Sequence, residues 1–250
     1  MLESVDRILL RRLLDIPVSA SKPSLYLELG MIPIRYIIKS RRIMFLQYIL
    51  KQDKEETISK VFWAQKSNPV KNDWWLQVEQ DLKEFQLDHF SLDQIEKMSK
   101  NLFKKFVKQS CEKKAFEYLL QEKEPRSKLD NLIYNSLNIQ TYLKSTKIST
   151  QHKKFIFRIR TRMLKVGKNF GKNDVCPLCY LHEDDQKGLL NCIILKLNCK
   201  ELYDRKEESY EDIFSSKIEK LLKISKLMQK CLRTREEFLQ QQQQQQQRQN

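Results

Sequence analysis

The chain has 250 residues, with 47 Lys+Arg against 32 Asp+Glu and a net charge of +15. Hydrophobic residues make up 40%, including 12 Phe, 9 Tyr and 3 Trp, which is enough to build a core and excludes a wholly disordered chain. Only 4 Gly and 6 Pro are present. That argues against turn-rich β-sandwiches and barrels, and against the glycine-rich phosphate loops of nucleotide-binding enzymes. The composition predicts a mostly α protein.

The first predicted helix covers 2–14, where Val5, Ile8, Leu9, Leu13 and Leu14 recur at helical spacing behind Ser4 as a candidate N-cap. Pro17 and Ser19–Ser21 break it. Pro23 suits the first turn of a short second helix, which Gly30 closes in the left-handed conformation. Pro33 opens a long apolar third helix through Ile34, Ile37, Ile38, Met44, Phe45, Tyr48 and Ile49. Residues 1–51 thus read as one helical unit. The texture of 52–172 is amphipathic and densely charged. Ile58, Val61 and Phe62 mark one helix there, and Asn72 or Asp73 caps another through Trp75, Val78, Leu82 and Phe85. Ser91 with Gln94 forms a capping-box signal. A further helical pattern runs from Leu102 to about residue 122, with Pro125 beyond its end. A connector with short apolar pieces at 129–134 and 137–143 follows. Residues 173–199 hold the cysteine segment. Within 200–239, Tyr210–Phe214 and Ile218–Phe238 read as C-terminal helices, and 240–250 is a tail opened by eight glutamines, expected to be disordered or loosely helical.

The charged start carries no apolar segment of signal-peptide type, and no run of about 18 uncharged apolar residues occurs. The expectation is a nuclear or cytoplasmic protein with reduced cysteines and no membrane partner. The basic excess points to an anionic partner, most often RNA or DNA, against the plainer reading of solvated lysine-rich surfaces.

Three constellations stand out. Cys176-Pro177-Leu178-Cys179, then twelve residues, then Cys192, has the spacing of a zinc knuckle; Cys199 or His182 would complete four ligands. The plainer reading is a degenerate site of ordinary buried thiols. Second, 153–172 contains eight Lys/Arg and no acidic residue. Lys153, Lys154, Arg158, Arg160, Arg162, Lys165 and Lys168 are the candidate phosphate contacts. On a helix Arg158, Arg162 and Lys165 share a face beside an apolar stripe of Phe155, Ile159 and Met163; the alternation at 157–160 also suits a strand. The plainer reading is the solvated face of an amphipathic helix. Third, Trp74-Trp75 could stack on bases, though such residues more often plug a helix interface. His89 and His152 have no partner arrangement. No catalytic triad, HExxH or paired-carboxylate motif occurs.

Several segments together resemble the C-terminal region of reverse transcriptases of non-LTR (LINE-type) retrotransposons. Tyr26-Leu27-Glu28-Leu29-Gly30-Met31-Ile32-Pro33-Ile34-Arg35 with Arg41-Arg42 is similar to a segment downstream of the polymerase palm. Asn72-Asp73-Trp74 and Ala115-Phe116-Glu117-Tyr118-Leu119 are similar to parts of the helical region after it. Phe157-Arg158-Ile159-Arg160-Thr161-Arg162-Met163 and the segment from Cys176 to Leu189-Leu190-Asn191-Cys192 resemble the basic run and cysteine–histidine knuckle that follow, and Tyr210-Glu211-Asp212-Ile213-Phe214 also fits. The resemblance covers nearly the whole chain except the glutamine tail. It implies a thumb-like helical unit over 1–51, then a helical region with a small CCHC-like knuckle. It also implies zinc as cofactor and a role in binding RNA or an RNA–DNA hybrid. The family histidine falls on Gly188, and the paired aspartates that hold catalytic magnesium have no counterpart. The expectation is a non-catalytic nucleic-acid-binding fragment of an RNA-directed DNA polymerase. The alternatives are a helical protein-interaction module and a decayed retroelement remnant.

Overall fold

The computed structural model describes residues 2–16, 21–123, 134–164, 166–167, 174–199 and 210–249. Pro17, Ser19, Ala20, Pro125, Lys165, Lys168 and the apolar piece at 129–133 lie outside the described residues. The chain is mostly α, and among the described residues the β structure is one isolated antiparallel bridge, Val175 with Glu183. Two compact units form. The first gathers Met1–Leu9, Leu25–Pro125 and Tyr134–Asn138; the second gathers Leu10–Ser24 and Ile139–Asn250.

The first unit takes the Leu25–Leu29 part of α2 (Lys22–Leu29), which ends at Gly30, whose φ of 61° gives the expected left-handed cap. Pro33 is the N-cap of α3 (Ile34–Leu50), the central helix. Around α3 pack α4 (Thr57–Ser67), α5 (Trp74–Glu84), α6 (Leu92–Lys97) and α7 (Lys100–Lys123). Ile43 and Leu46 of α3 share one core with Phe62, Val78, Phe85, Ile95 and Phe103, so residues on both sides of position 51 pack as one body. Each such side chain removed from water contributes about 1.5–3 kcal/mol. Trp74 and Trp75 pack partly buried against this core, with Trp75 edge-on to Phe62 at 5.5 Å. The Ser91–Gln94 capping box forms in full. At the other end of α6, buried Gln47 donates to the Ile95 and Met98 carbonyls, both at 3.0 Å, satisfying groups that a short helix leaves orphaned. Arg35 pairs with Glu3 of α1 (Leu2–Leu14). The apolar pattern of α1 does not all go inward: Leu14 is buried, whereas Leu9 is 60% and Leu13 72% exposed.

The second unit carries α8 (Thr141–Lys144), α9 (Thr150–Arg160), α10 (Gln186–Asn191), α11 (Ile193–Asn198), a 3-10 turn over Tyr210–Phe214, and α12 (Ile218–Gln249). Ile224, Leu227, Met228 and Cys231 of α12 form the floor on which Ile159, Leu189, Leu195 and Ile213 pack. Of the two expectations for the glutamine segment, disordered or loosely helical, the structure shows helix. α12 continues through it to Gln249, because glutamine has good helix propensity and extends an established helix without a new nucleation step.

Candidate metal centre

The cysteine segment folds as a tight hairpin followed by a helix. The Cys176 N–H donates to the His182 carbonyl (2.7 Å), the Tyr180 N–H to the Cys176 carbonyl (3.0 Å) and the Asp184 N–H to the Asp174 carbonyl (2.8 Å). Tyr180 takes a positive φ of 55° at the turn, and its side chain is 73% exposed. Asp185 caps α10, its carboxylate accepting from the Gly188 N–H at 2.6 Å. α10 then delivers Cys192 back onto the hairpin, at the junction with α11.

This brings Cys176, Cys179 and Cys192 together, with their sulfurs all within 4.8 Å of one another. Cys176 and Cys192 are 3.8 Å apart. Two sulfurs each ~2.3 Å from a tetrahedral zinc would stand about 3.8 Å apart, so the spacing fits such an ion. Cys176 and Cys192 are buried and Cys179 is partly exposed. Burial pushes the Cys179 thiol up, but hydrogen bonds from the Leu181 and His182 backbone and from the two neighbouring thiols outweigh it and bring the thiol below its usual range. Burial pushes Cys192 up to about 11, helped by the neighbouring Cys176 and Cys179 and opposed by backbone hydrogen bonds from Leu195 and Ile194. Backbone donors thus face both sulfurs, as a thiolate metal ligand needs. The residues present fit a zinc ion as three of its ligands.

The fourth ligand expected from the sequence does not join them. Cys199 lies at the end of α11, fully buried, its sulfur 3.8 Å from the Thr234 hydroxyl of α12. His182 is exposed and outside the cluster. Gly188, where the resembling family carries histidine, has no room for any side chain: a Cβ there would stand 1.8 Å from the Glu183 carbonyl oxygen.

The basic segment is a helix, not a strand, capped by Ser149, whose hydroxyl accepts from the His152 N–H. The expected shared face of Arg158 and Arg162 does not form, and its third member, Lys165, lies outside the described residues. α9 stops at Arg160, and Arg162 turns left-handed at φ 54°. Met163 N–H then reaches the Arg158 carbonyl (2.7 Å) and Arg162 N–H the Ile159 carbonyl (3.1 Å), closing the helix as a Schellman motif. Arg158 pairs with Asp15 at 2.6 Å and donates to the Asp15 carbonyl. Arg160 is 6% exposed, donates to the Ile213 carbonyl at 2.9 Å, and lies over the rings of Tyr142 and Phe214 at 5.6 and 5.7 Å. Lys153 donates to the Leu143 carbonyl at 2.8 Å. Lys154 is half-buried on the same helix. The arginines of α9 therefore hold the second unit together. Sequence reading missed the anchor of the knuckle, Arg235 of α12, which meets Asp184 at 2.7 Å from 51 positions away, with no local signal to mark it.

No helix among the described residues is long and apolar enough to cross a membrane. No family model matches the chain, and no curated protein or solved structure matches it, so the retrotransposon resemblance rests on the motifs themselves.

Proposed function

We propose that the chain is a non-catalytic nucleic-acid-binding module organised on a zinc-binding cysteine knuckle, the tail part of a non-LTR retrotransposon reverse transcriptase. The observation that carries this reading is the convergence of Cys176, Cys179 and Cys192, with Tyr180 projecting beside them at 73% exposure. Knuckles of this kind are RNA-binding modules, and an exposed aromatic next to the metal is a stacking platform for an unpaired base. The net charge of +15 supplies the long-range attraction to phosphate. Bound zinc would tie the hairpin to α10 and so fix the direction of Tyr180.

Fluorescence anisotropy with a single-stranded RNA and a matched RNA–DNA hybrid tests this. Binding should weaken steeply with salt, and Tyr180→Ala should weaken it further, by about 1–3 kcal/mol for one lost stacked base. Chelation of the metal should have a similar effect. Absence of binding at low salt would remove this reading. The second reading, a helical protein-interaction module, would then lead, on the exposed Leu9 and Leu13 of α1.

A further inference from the structure

We infer that the knuckle holds its metal through three protein thiolates and takes the fourth ligand from outside the chain, a water molecule exchangeable for a small thiol or imidazole. The inference rests on the metal reading above and concerns how that site is completed. Closed structural sites use four protein ligands, whereas three protein ligands leave a position for water or an incoming donor.

Three sulfurs lie within 4.8 Å of one another, and no further His, Cys, Asp or Glu among the described residues joins them. Position 188 is barred, Cys199, Asp184 and Asp185 are engaged elsewhere, and His182 stands outside the cluster. Position 188 cannot bear a side chain, because the Glu183 carbonyl oxygen occupies the place of a Cβ at 1.8 Å. The contact is with backbone, so no rotamer change relieves it. Cys199 is set into the packing of α11 against α12, beside Thr234. The backbone of His182 is fixed by its carbonyl's bond from Cys176 N–H, and its side chain is exposed to solvent. Asp184 is taken by Arg235 and the Gly167 N–H, both at 2.7 Å, and Asp185 by the N-terminus of α10.

The cluster is also accessible on one side. Cys176 is 3% and Cys192 0% exposed, but Cys179 is only partly buried, and Tyr180 and Leu181 beyond it are 73% and 72% exposed. An external donor can approach past Cys179. When a small thiol enters, the metal–water bond breaks, a metal–sulfur bond forms, and the thiol proton passes to solvent.

The test is the full chain loaded with cobalt(II), whose visible absorption reports the donor set. The expected result is about one cobalt per chain, as for a single site of this kind. Its spectrum should be unchanged in His182→Ala, in Cys199→Ala and in the closely isosteric Cys199→Ser, and should shift saturably on adding β-mercaptoethanol or imidazole. A cobalt spectrum altered by His182→Ala, or by both Cys199 variants, would overturn the external ligand while leaving the metal reading intact. So would a wild-type spectrum indifferent to both added donors. Failure of the wild-type chain to bind cobalt at all would overturn both.

Discussion

Asp184 of the knuckle and Arg235 of α12 meet through one Nη2–Oδ2 contact of 2.7 Å, with the two side chains only 6% and 10% exposed. The same carboxylate oxygen accepts the Gly167 N–H at 2.7 Å. Two charges out of water are stable only while both remain, because either one alone is a buried, uncompensated ion. The pair therefore locks the cysteine hairpin to the helix that forms its floor.

Removing one partner should cost more than removing both. Arg235→Ala is expected to lower the stability of the chain by about 3–5 kcal/mol, the range for a broken buried pair. Arg235→Met combined with Asp184→Leu should recover a large part of that loss. Urea unfolding followed by circular dichroism measures both. If Arg235→Ala falls within about 0.5 kcal/mol of wild type, as an ordinary surface change does, the lock is not formed.

Gly188 makes a second prediction at the same place. Its missing side chain answers to the close approach of the Glu183 carbonyl, not to a positive φ. Overpacking usually costs about 1–3 kcal/mol, and a backbone obstacle at 1.8 Å puts Gly188→Ala at the upper end or beyond. Gly188→His, which restores the residue of the resembling family, should therefore lower the melting temperature and give no gain in zinc affinity. A Gly188→His chain as stable as wild type that binds zinc more tightly would show that the knuckle opens to admit an imidazole.

The basic helix separates folding from binding. Arg160 is buried under Tyr142 and Phe214 with its guanidinium on a carbonyl, so Arg160→Gln is expected to cost about 1.5–3 kcal/mol, the range for a lost hydrogen bond to a charged group. Lys154→Gln should leave stability within about 0.5 kcal/mol. If Lys154 contacts a phosphate, that change reduces the salt slope of RNA binding by about 0.7–0.9. Thermal unfolding and salt titrations of the two single variants distinguish these roles, which a combined change of all the arginines would confound.

What could be read from the sequence, and what could not, divides along a physical line. Local signals served well: the Ser91–Gln94 box, Pro33 and Gly30 at helix ends, and the long α7 all lie where their neighbours in sequence dictate. The cysteine spacing likewise marked the three thiols that converge. Helix ends without glycine were hidden. Asp15, Gln86 and Arg162 take the left-handed position that glycine usually fills, and each is followed by the same reverse hydrogen bond, such as Leu87 N–H to the Leu82 carbonyl at 2.8 Å. An arginine there carries no warning, so the helical reading of the basic segment places Arg162 on the same face as Arg158, beyond the point where α9 ends. Long-range choices were equally silent. Nothing beside Arg158 indicates that its partner is Asp15, and nothing in the apolar spacing of α1 indicates that Leu13 stays in water.

His152 gives the pH dependence. Its ring nitrogen Nε2 lies 2.9 Å from the hydroxyl of buried Ser225 on α12. Burial, then the charge of Lys226, hold its pKa below the usual histidine value of 6.5. The unfolded chain therefore takes up a proton near pH 6.5 that the folded chain accepts only at lower pH. Between those points the unfolded state binds more protons, so stability falls as pH falls and is fully present above about 6.5. The urea midpoint of the wild-type chain is expected to drop between pH 7.5 and pH 5.5. His152→Gln keeps a polar group against Ser225 but cannot titrate, and its midpoint should drop less over the same interval. Equal drops in the two proteins would place the acid sensitivity elsewhere. A larger drop in the variant would mean that the folded chain holds the imidazole in its charged form, contrary to its burial beside Lys226.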